Sequence, residues 1–189
     1  MNLPNKITIS RIFLTIVSMI IFLIVFPYSY LISAIVFVIA SFTDFFDGYL
    51  ARKLKQVTTI GKLLDPIADK VLVISMLMLV IDKGVIPSPY GVIATIIIVS
   101  REFIIAAFRQ IAASHNLILA ADKLGKLKTL LQYLSVPLLI ISVETDNLIF
   151  NKPIFYIGVI VFVLSVIMTI ASAINYILKN KSVIIKPEP

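Results

Sequence analysis

Long apolar runs separated by short polar stretches set the pattern of this chain. Residues 1–11, Met-Asn-Leu-Pro-Asn-Lys-Ile-Thr-Ile-Ser-Arg, mix both kinds of position. They predict a short amphipathic helix that begins after Pro4 and lies at an interface. Apolar runs follow at residues 12–26, 31–50, 63–81, 90–112, 127–143 and 154–178. About 20 mostly apolar residues cross a bilayer as a helix. The runs are continuous, whereas a membrane barrel needs short alternating strands. The pattern therefore predicts an all-α integral membrane protein with six transmembrane helices and a short N-terminal interfacial helix.

The connections are short. Pro27-Tyr-Ser-Tyr30 is a turn whose tyrosines suit a membrane interface. Residues 51–62 form a basic loop with Arg52, Lys53, Lys55 and Lys62. Residues 82–89 hold a glycine and two prolines that stop the helix. A polar loop at 113–126, a turn at 144–153 and a basic tail complete the chain. No small-residue cleavage site follows the first apolar run, so a secretory signal is not expected. Without a linker, a low-complexity tract or a repeat, residues 1–189 are read as one domain.

Composition narrows the chemistry. The chain is 60% hydrophobic, with mean hydropathy +1.07, above the usual share for a soluble domain. It has no cysteine and one histidine, His115, expected in a solvated loop. Disulfides, thiolate catalysis and cysteine metal sites are excluded, and a metal would be held by oxygen, pointing to Mg²⁺, Mn²⁺ or Ca²⁺. The net charge is +7. With six spans, fifteen of the 17 lysines and arginines fall on the side of the termini, against Lys83 and Lys152 on the other. Three of the fifteen (Lys70, Arg101 and Arg109) lie inside predicted spans, leaving twelve against two. This bias places both termini on the cytoplasmic side of the cell membrane. The same charge suits anionic lipid or phosphorylated substrates. No basic soluble face suggests nucleic acid.

Residues 44–69 break the apolar background. They read Asp44-Phe-Phe-Asp47-Gly48-Tyr-Leu-Ala51-Arg52, eight further residues, then Gly61-Lys-Leu-Leu-Asp65-Pro66-Ile-Ala-Asp69. Asp44 and Asp47 share a helix face, and so do Asp65 and Asp69. Four uncompensated charges beside lipid repel one another and are costly. Bound cations resolve this: four carboxylates can hold two divalent ions, and such a pair suits phosphoryl transfer. The plainer alternative is solvated acids or helix caps. Asp65 before Pro66 fits an N-cap followed by the first helical position. Asp44 and Asp47 do not fit, because acids near a helix C-terminus oppose its dipole.

Other polar positions carry two readings each. Gly48 and Ala51 allow close approach of a nucleotide or, more plainly, of another helix. Arg52 either pairs with a diphosphate or snorkels to the interface. Gly61 opens the turn into the third helix, where Lys62 is a topology charge. Arg101 and Glu102 lie in the middle of the fourth span and Arg109 two turns on, where charges face a cavity or a partner. They make either a structural ion pair or a basic pocket for an anionic acceptor. Lys126 and Lys128 either close that pocket or are interfacial lysines.

The run D-x-x-D-G-x-x-A-R-x8-G-x-x-x-D-x-x-x-D matches at every fixed position the signature of the CDP-alcohol phosphotransferase family, which the chain resembles over nearly its whole length. Four segments are similar to the bacterial branch that makes phosphatidylglycerophosphate. They are Asn2-Leu-Pro-Asn5-Lys-Ile-Thr8-Ile-Ser-Arg11, Asp65-Pro-Ile-Ala-Asp69-Lys70, Arg101-Glu102 and Gly125-Lys-Leu-Lys-Thr129. Cardiolipin synthases of the superfamily share the first two. The resemblance implies that CDP-diacylglycerol and sn-glycerol 3-phosphate give phosphatidylglycerophosphate and CMP. It implies that Asp44, Asp47 and Asp65 bind two divalent ions, Mg²⁺ or Mn²⁺, with Asp69 bridging or adjacent. Asp69 is also implied as the general base. Gly48, Arg52, Thr58 and Gly61 are implied to contact the CDP part, with Asn5 and Thr8 as further candidates. Arg101, Arg109 and Lys126 are assigned to the acceptor phosphate. Family members are commonly homodimers.

Two rivals stand beside this reading. One keeps the chemistry and changes the acceptor to inositol phosphate, serine or phosphatidylglycerol. A basic pocket favours a phosphorylated acceptor over serine. The other is a cation transporter built on the aspartate cluster. Transport sites tend to lie at the bilayer midplane, whereas these acids fall at helix ends.

Overall fold

Thr8, Arg11, Thr15 and Ser18 recur at intervals of three and four residues, so they share one face of a helix. In the computed structural model that face is the buried one: all four side chains are enclosed, Arg11 to 0% exposure. The structure describes residues 3–54, 59–114, 117, 119, 122–143 and 148–181, and within these the side chains other than those of residues 3–6, 44–54, 59–63, 65 and 148–151.

Six helices make up the described chain: α1 (Leu3–Leu23), α2 (Ser29–Leu54), α3 (Thr59–Asp82), α4 (Tyr90–Ser114), α5 (Lys123–Ile141) and α6 (Leu148–Lys179). The described residues contain no strand. The expected N-terminal helix and first span are one continuous helix. No glycine interrupts α1, and Pro4 falls in its first turn, where a missing N–H costs nothing. Other ends also lie further out than the apolar runs predict. α2 carries Arg52 and Lys53, α3 starts at Thr59 rather than 63, α5 starts at Lys123 rather than 127, and α6 starts at Leu148 rather than 154. Asp65 is consequently not an N-cap, and Pro66 lies inside α3. Thr58, Lys55 and His115 lie outside the described residues.

Neighbouring helices pair antiparallel, as short connections dictate. In α1–α2 the contacts run Arg11 to Thr43, Ser18 to Ser33 and Phe22 to Tyr30. Ser18 Oγ donates to the Ser33 carbonyl at 3.0 Å, and Ser33 Oγ donates to the Ser18 carbonyl at 2.9 Å. In α5–α6, a Cβ added at Gly158 would lie 3.2 Å from Leu138 and Leu139, so glycine sets the close approach. Phe22, Phe37, Leu72, Met76, Leu77, Leu139 and Ile140 form the apolar core.

Burial is inverted relative to a water-soluble bundle. Phe13, Phe103 and Leu178 are exposed, Phe103 to 72%. Ser165, Thr169, Ser172, Gln132 and Ser135 are buried. Small and hydroxyl side chains between helices with apolar ones outside suit a lipid surround, where packing rather than water exclusion joins helices. Three described helices are long and apolar enough to cross a membrane: Tyr90–Ser114, Lys123–Ile141 and Lys152–Lys179. Shorter apolar stretches are Ile7–Leu23 and Ser29–Thr43.

Candidate active site

The signature lies on two helices. Asp44, Asp47, Gly48, Ala51 and Arg52 are all in the C-terminal half of α2; Gly61, Asp65 and Asp69 are all in α3. Asp69 has a described side chain, while those of Asp44, Asp47, Arg52, Asp65 and Asn5 lie outside the described set. Among the described residues, no three His, Cys, Asp or Glu come together. The donor set of the signature itself is four hard carboxylate oxygen donors, which fits Mg²⁺ or Mn²⁺ and no soft metal. Asp69 is half-buried, and its Oδ1 accepts a hydrogen bond from the Tyr133 hydroxyl of α5.

Asp69 opens onto a cleft of about 820 Å³ lined by residues of α3, α4, α5 and α6. That is within the usual range for small-molecule sites. Arg101, Arg109 and Lys126, assigned to an acceptor phosphate on resemblance, all line it. The structure thus brings these three together with Asp69. It does not bring in Thr8, which is buried in the α1 seam a turn from Arg11. Arg11 Nε donates to Thr43 Oγ1 at 3.2 Å, one residue before Asp44.

The cavity wall is organised by Glu102. Its carboxylate accepts from Lys128 Nζ and from Arg101 Nη1, the latter at 3.1 Å, and Lys70 Nζ lies 3.7 Å away. Arg101 and Lys128 are both over nine-tenths buried. Buried charges of this kind are found paired and hydrogen-bonded. The Arg101–Glu102 structural pair and the basic pocket are therefore one and the same arrangement. Lys126 and Lys128, two residues apart, separate: Lys128 turns inward to Glu102, while Lys126 is exposed at the cavity. Gly125 makes room, since a Cβ there would lie 3.1 Å from Arg101 Nη2. Arg109 lies over Tyr176 of α6, its Nε 3.4 Å from the hydroxyl and its guanidinium carbon 5.8 Å from the ring centre.

Among the described residues, the acidic and basic side chains on this wall are Lys70, Arg101, Arg109, Lys126 and Lys128 against Asp69, Glu102 and Asp122, a formal surplus of two cations. Arg101 Nε is buried without a hydrogen-bond partner among the described residues. The wall suits an anion carrying up to two charges, such as a phosphate monoester. Local spacing missed Tyr133, whose link to Asp69 spans 64 residues, and the Lys128–Glu102 pair, which spans 26.

Relatives agree with the signature. Residues 1–171 match the CDP-alcohol phosphatidyltransferase family. The chain is 39% identical over 191 residues to a CDP-diacylglycerol–glycerol-3-phosphate 3-phosphatidyltransferase of Bacillus subtilis (strain 168), covering 95% of each chain. It is 36% identical over 175 residues to a protein of the same name from Rickettsia bellii (strain RML369-C), covering 93% of each. A Rickettsia typhi (strain ATCC VR-144 / Wilmington) protein of that name is 35% identical over 175 residues, covering 93% of this chain and 94% of its own. With the signature on α2 and α3 and a matching domain over most of its length, the chain belongs to the CDP-alcohol phosphatidyltransferase family.

Proposed function

We propose that this protein transfers the phosphatidyl group of CDP-diacylglycerol to sn-glycerol 3-phosphate, releasing CMP. The observation that carries the reading is a cavity in which Asp69 of the signature meets a wall whose described side chains carry two surplus cations. The names of the relatives support the same donor and acceptor. Serine, lacking a phosphate, has no use for that wall.

In this reading Arg101, Arg109 and Lys126 hold the acceptor phosphate and so orient the free hydroxyl toward Asp69. The Asp69 carboxylate takes the hydroxyl proton as the oxygen attacks the β-phosphoryl group in line. The bond to the CMP oxygen breaks, and CMP leaves with that electron pair. Gly48, Arg52, Thr58 and Gly61 hold the CDP part, with Asn5 as a further contact. Two divalent ions, held by Asp44, Asp47, Asp65 and Asp69, supply positive charge to the diphosphate when bound. Positioning and charge neutralisation are most of what the protein contributes to such a transfer.

All six helices cross the cell membrane in this reading, with the termini and signature facing the cytoplasm. The inverted burial and the bias of basic residues support it. The family likeness also leads to a homodimer, which light scattering of the detergent-solubilised protein checks.

The test is CMP release by purified protein in detergent from CDP-diacylglycerol, with acceptor and metal each present or absent. Release that needs Mg²⁺ or Mn²⁺ and glycerol 3-phosphate is expected, and Asp69→Asn is expected to lower it ~10²–10⁴-fold. Conversion with inositol phosphate or phosphatidylglycerol alone would reassign the acceptor. Metal binding without CMP release on any acceptor would favour a transporter.

A further inference from the structure

Tyr133 reaches the signature from outside it. Its ring packs edge-to-face on Phe37 of α2, with centroids 6.4 Å apart and planes at 66°. Phe37 is fully buried and, at two helical turns before Asp44, belongs to the same helix as the first carboxylate pair. The Tyr133 hydroxyl donates to Oδ1 of Asp69 on α3. One side chain of α5 thus ties together the two helices that carry the aspartates. A half-buried phenol, its ring packed in the interior, keeps a hydrogen-bond partner for its hydroxyl. Here the partner is one of the signature carboxylates rather than a backbone carbonyl.

We propose that Tyr133 is a positioning residue for Asp69, holding Oδ1 toward α5 so that the second oxygen keeps one fixed direction. The inference rests on the reading of Asp69 as the base of phosphatidyl transfer. A carboxylate torsion is broad and roughly two-fold, so Asp69 alone would leave its two oxygens interchangeable. A base that also belongs to a metal-binding set needs them distinct, one engaged and one facing the acceptor hydroxyl. Tyr133 contributes to that distinction by engaging Oδ1 from α5, with its ring packed on Phe37. Groups that orient metal-linked carboxylates from behind typically carry ~10–100-fold in activity or metal affinity.

Tyr133→Phe tests this, because it keeps the ring on Phe37 and removes only the hydroxyl. At saturating Mn²⁺, kcat for glycerol 3-phosphate is expected to fall ~10–100-fold. KM for both substrates should stay within about twofold, as for a loss felt only in the transition state. In the absence of substrates, the Mn²⁺ concentration giving half-maximal thermal stabilisation is expected to rise by about tenfold. Wild-type kcat together with an unchanged Mn²⁺ midpoint overturns the proposal. So does a variant that fails to fold, or one in which metal-free stability, kcat and KM all worsen together, since the hydroxyl would then be a structural contact. If the unsubstituted protein releases no CMP with glycerol 3-phosphate, the functional reading fails. The Mn²⁺ titration still decides whether Tyr133 governs Asp69.

Discussion

Neutralising Glu102 alters the surroundings of three cations at once. Lys128 and Arg101 are buried against it, and Lys70 lies within 4 Å. Glu102→Gln keeps the shape and leaves two buried charges short of a partner. Thermal unfolding in detergent is expected to show a loss of about 3 kcal/mol, the usual scale for breaking a buried pair from one side. Lys126, exposed at the same cavity, should behave oppositely. Lys126→Ala is expected to leave the unfolding curve in place. It should raise KM for glycerol 3-phosphate about tenfold, equivalent to ~1.4 kcal/mol, with KM for CDP-diacylglycerol unchanged. A variant that moved both KM values equally would remove Lys126 from the acceptor end. The lysine pair also shows how far local pattern reaches. Gly125-Lys-Leu-Lys-Thr129 marks both lysines as candidates, but only the Lys128–Glu102 contact across to α4 shows that one turns inward while the other faces the cavity.

At the scale of elements, backbone conformation and helix joints carry the testable cost. Gly84 ends α3 at φ 74°, its N–H bonded to the Ile81 carbonyl at 2.9 Å, with open space where a Cβ would go. Gly84→Ala meets no clash, so its expected cost is the conformational ~1 kcal/mol of a left-handed alanine, read by unfolding. Between α1 and α2, Ser18 and Ser33 should be coupled. A double-mutant cycle of Ser18→Ala and Ser33→Ala is expected to give about 0.6 kcal/mol, as is common between membrane helices. Zero coupling would mean that the two hydroxyls act independently, each on the other helix's backbone carbonyl. The six long helices and their order were legible because each has a long apolar stretch, whereas the separate N-terminal helix expected before α1 is part of it. Their ends were not. Charged and polar residues such as 51–54, 59–62 and 123–126 read as loop, yet nothing there forbids a helix. Pro66, Pro137 and Pro153 lie inside helices, so proline alone did not mark an end. The Thr8–Arg11–Thr15–Ser18 seam was visible as spacing, but its polarity suggests water, and only the inverted burial shows that it faces protein.

For the whole molecule, the question is which way the chain crosses. The absence of cysteine allows a single introduced thiol to report its side without background. Six crossings with cytoplasmic termini predict that Lys53→Cys is labelled from the cytoplasmic face, and Lys83→Cys and Lys152→Cys from the opposite face. Labelling of Lys53→Cys and Lys83→Cys from one side would mean that α3 does not cross. The candidate site was partly legible at this scale too. The signature and the three acceptor candidates are sequence facts, and the cavity brings Asp69, Arg101, Arg109 and Lys126 together. Tyr133 and the Lys128–Glu102 pair arise from contacts between distant helices, which no spacing encodes.

The crossed serines of α1 and α2 have a mechanical effect. Each hydroxyl rests on the other helix's backbone, so a slip of either helix along its axis breaks both bonds at once. The pair therefore fixes the axial register of α1 against α2 together with the Arg11–Thr43 and Phe22–Tyr30 contacts. Three turns beyond Ser33 along the same rod stands Asp44. The acidic end of α2 is thus set against α1 by a joint some 16 Å away along the helix.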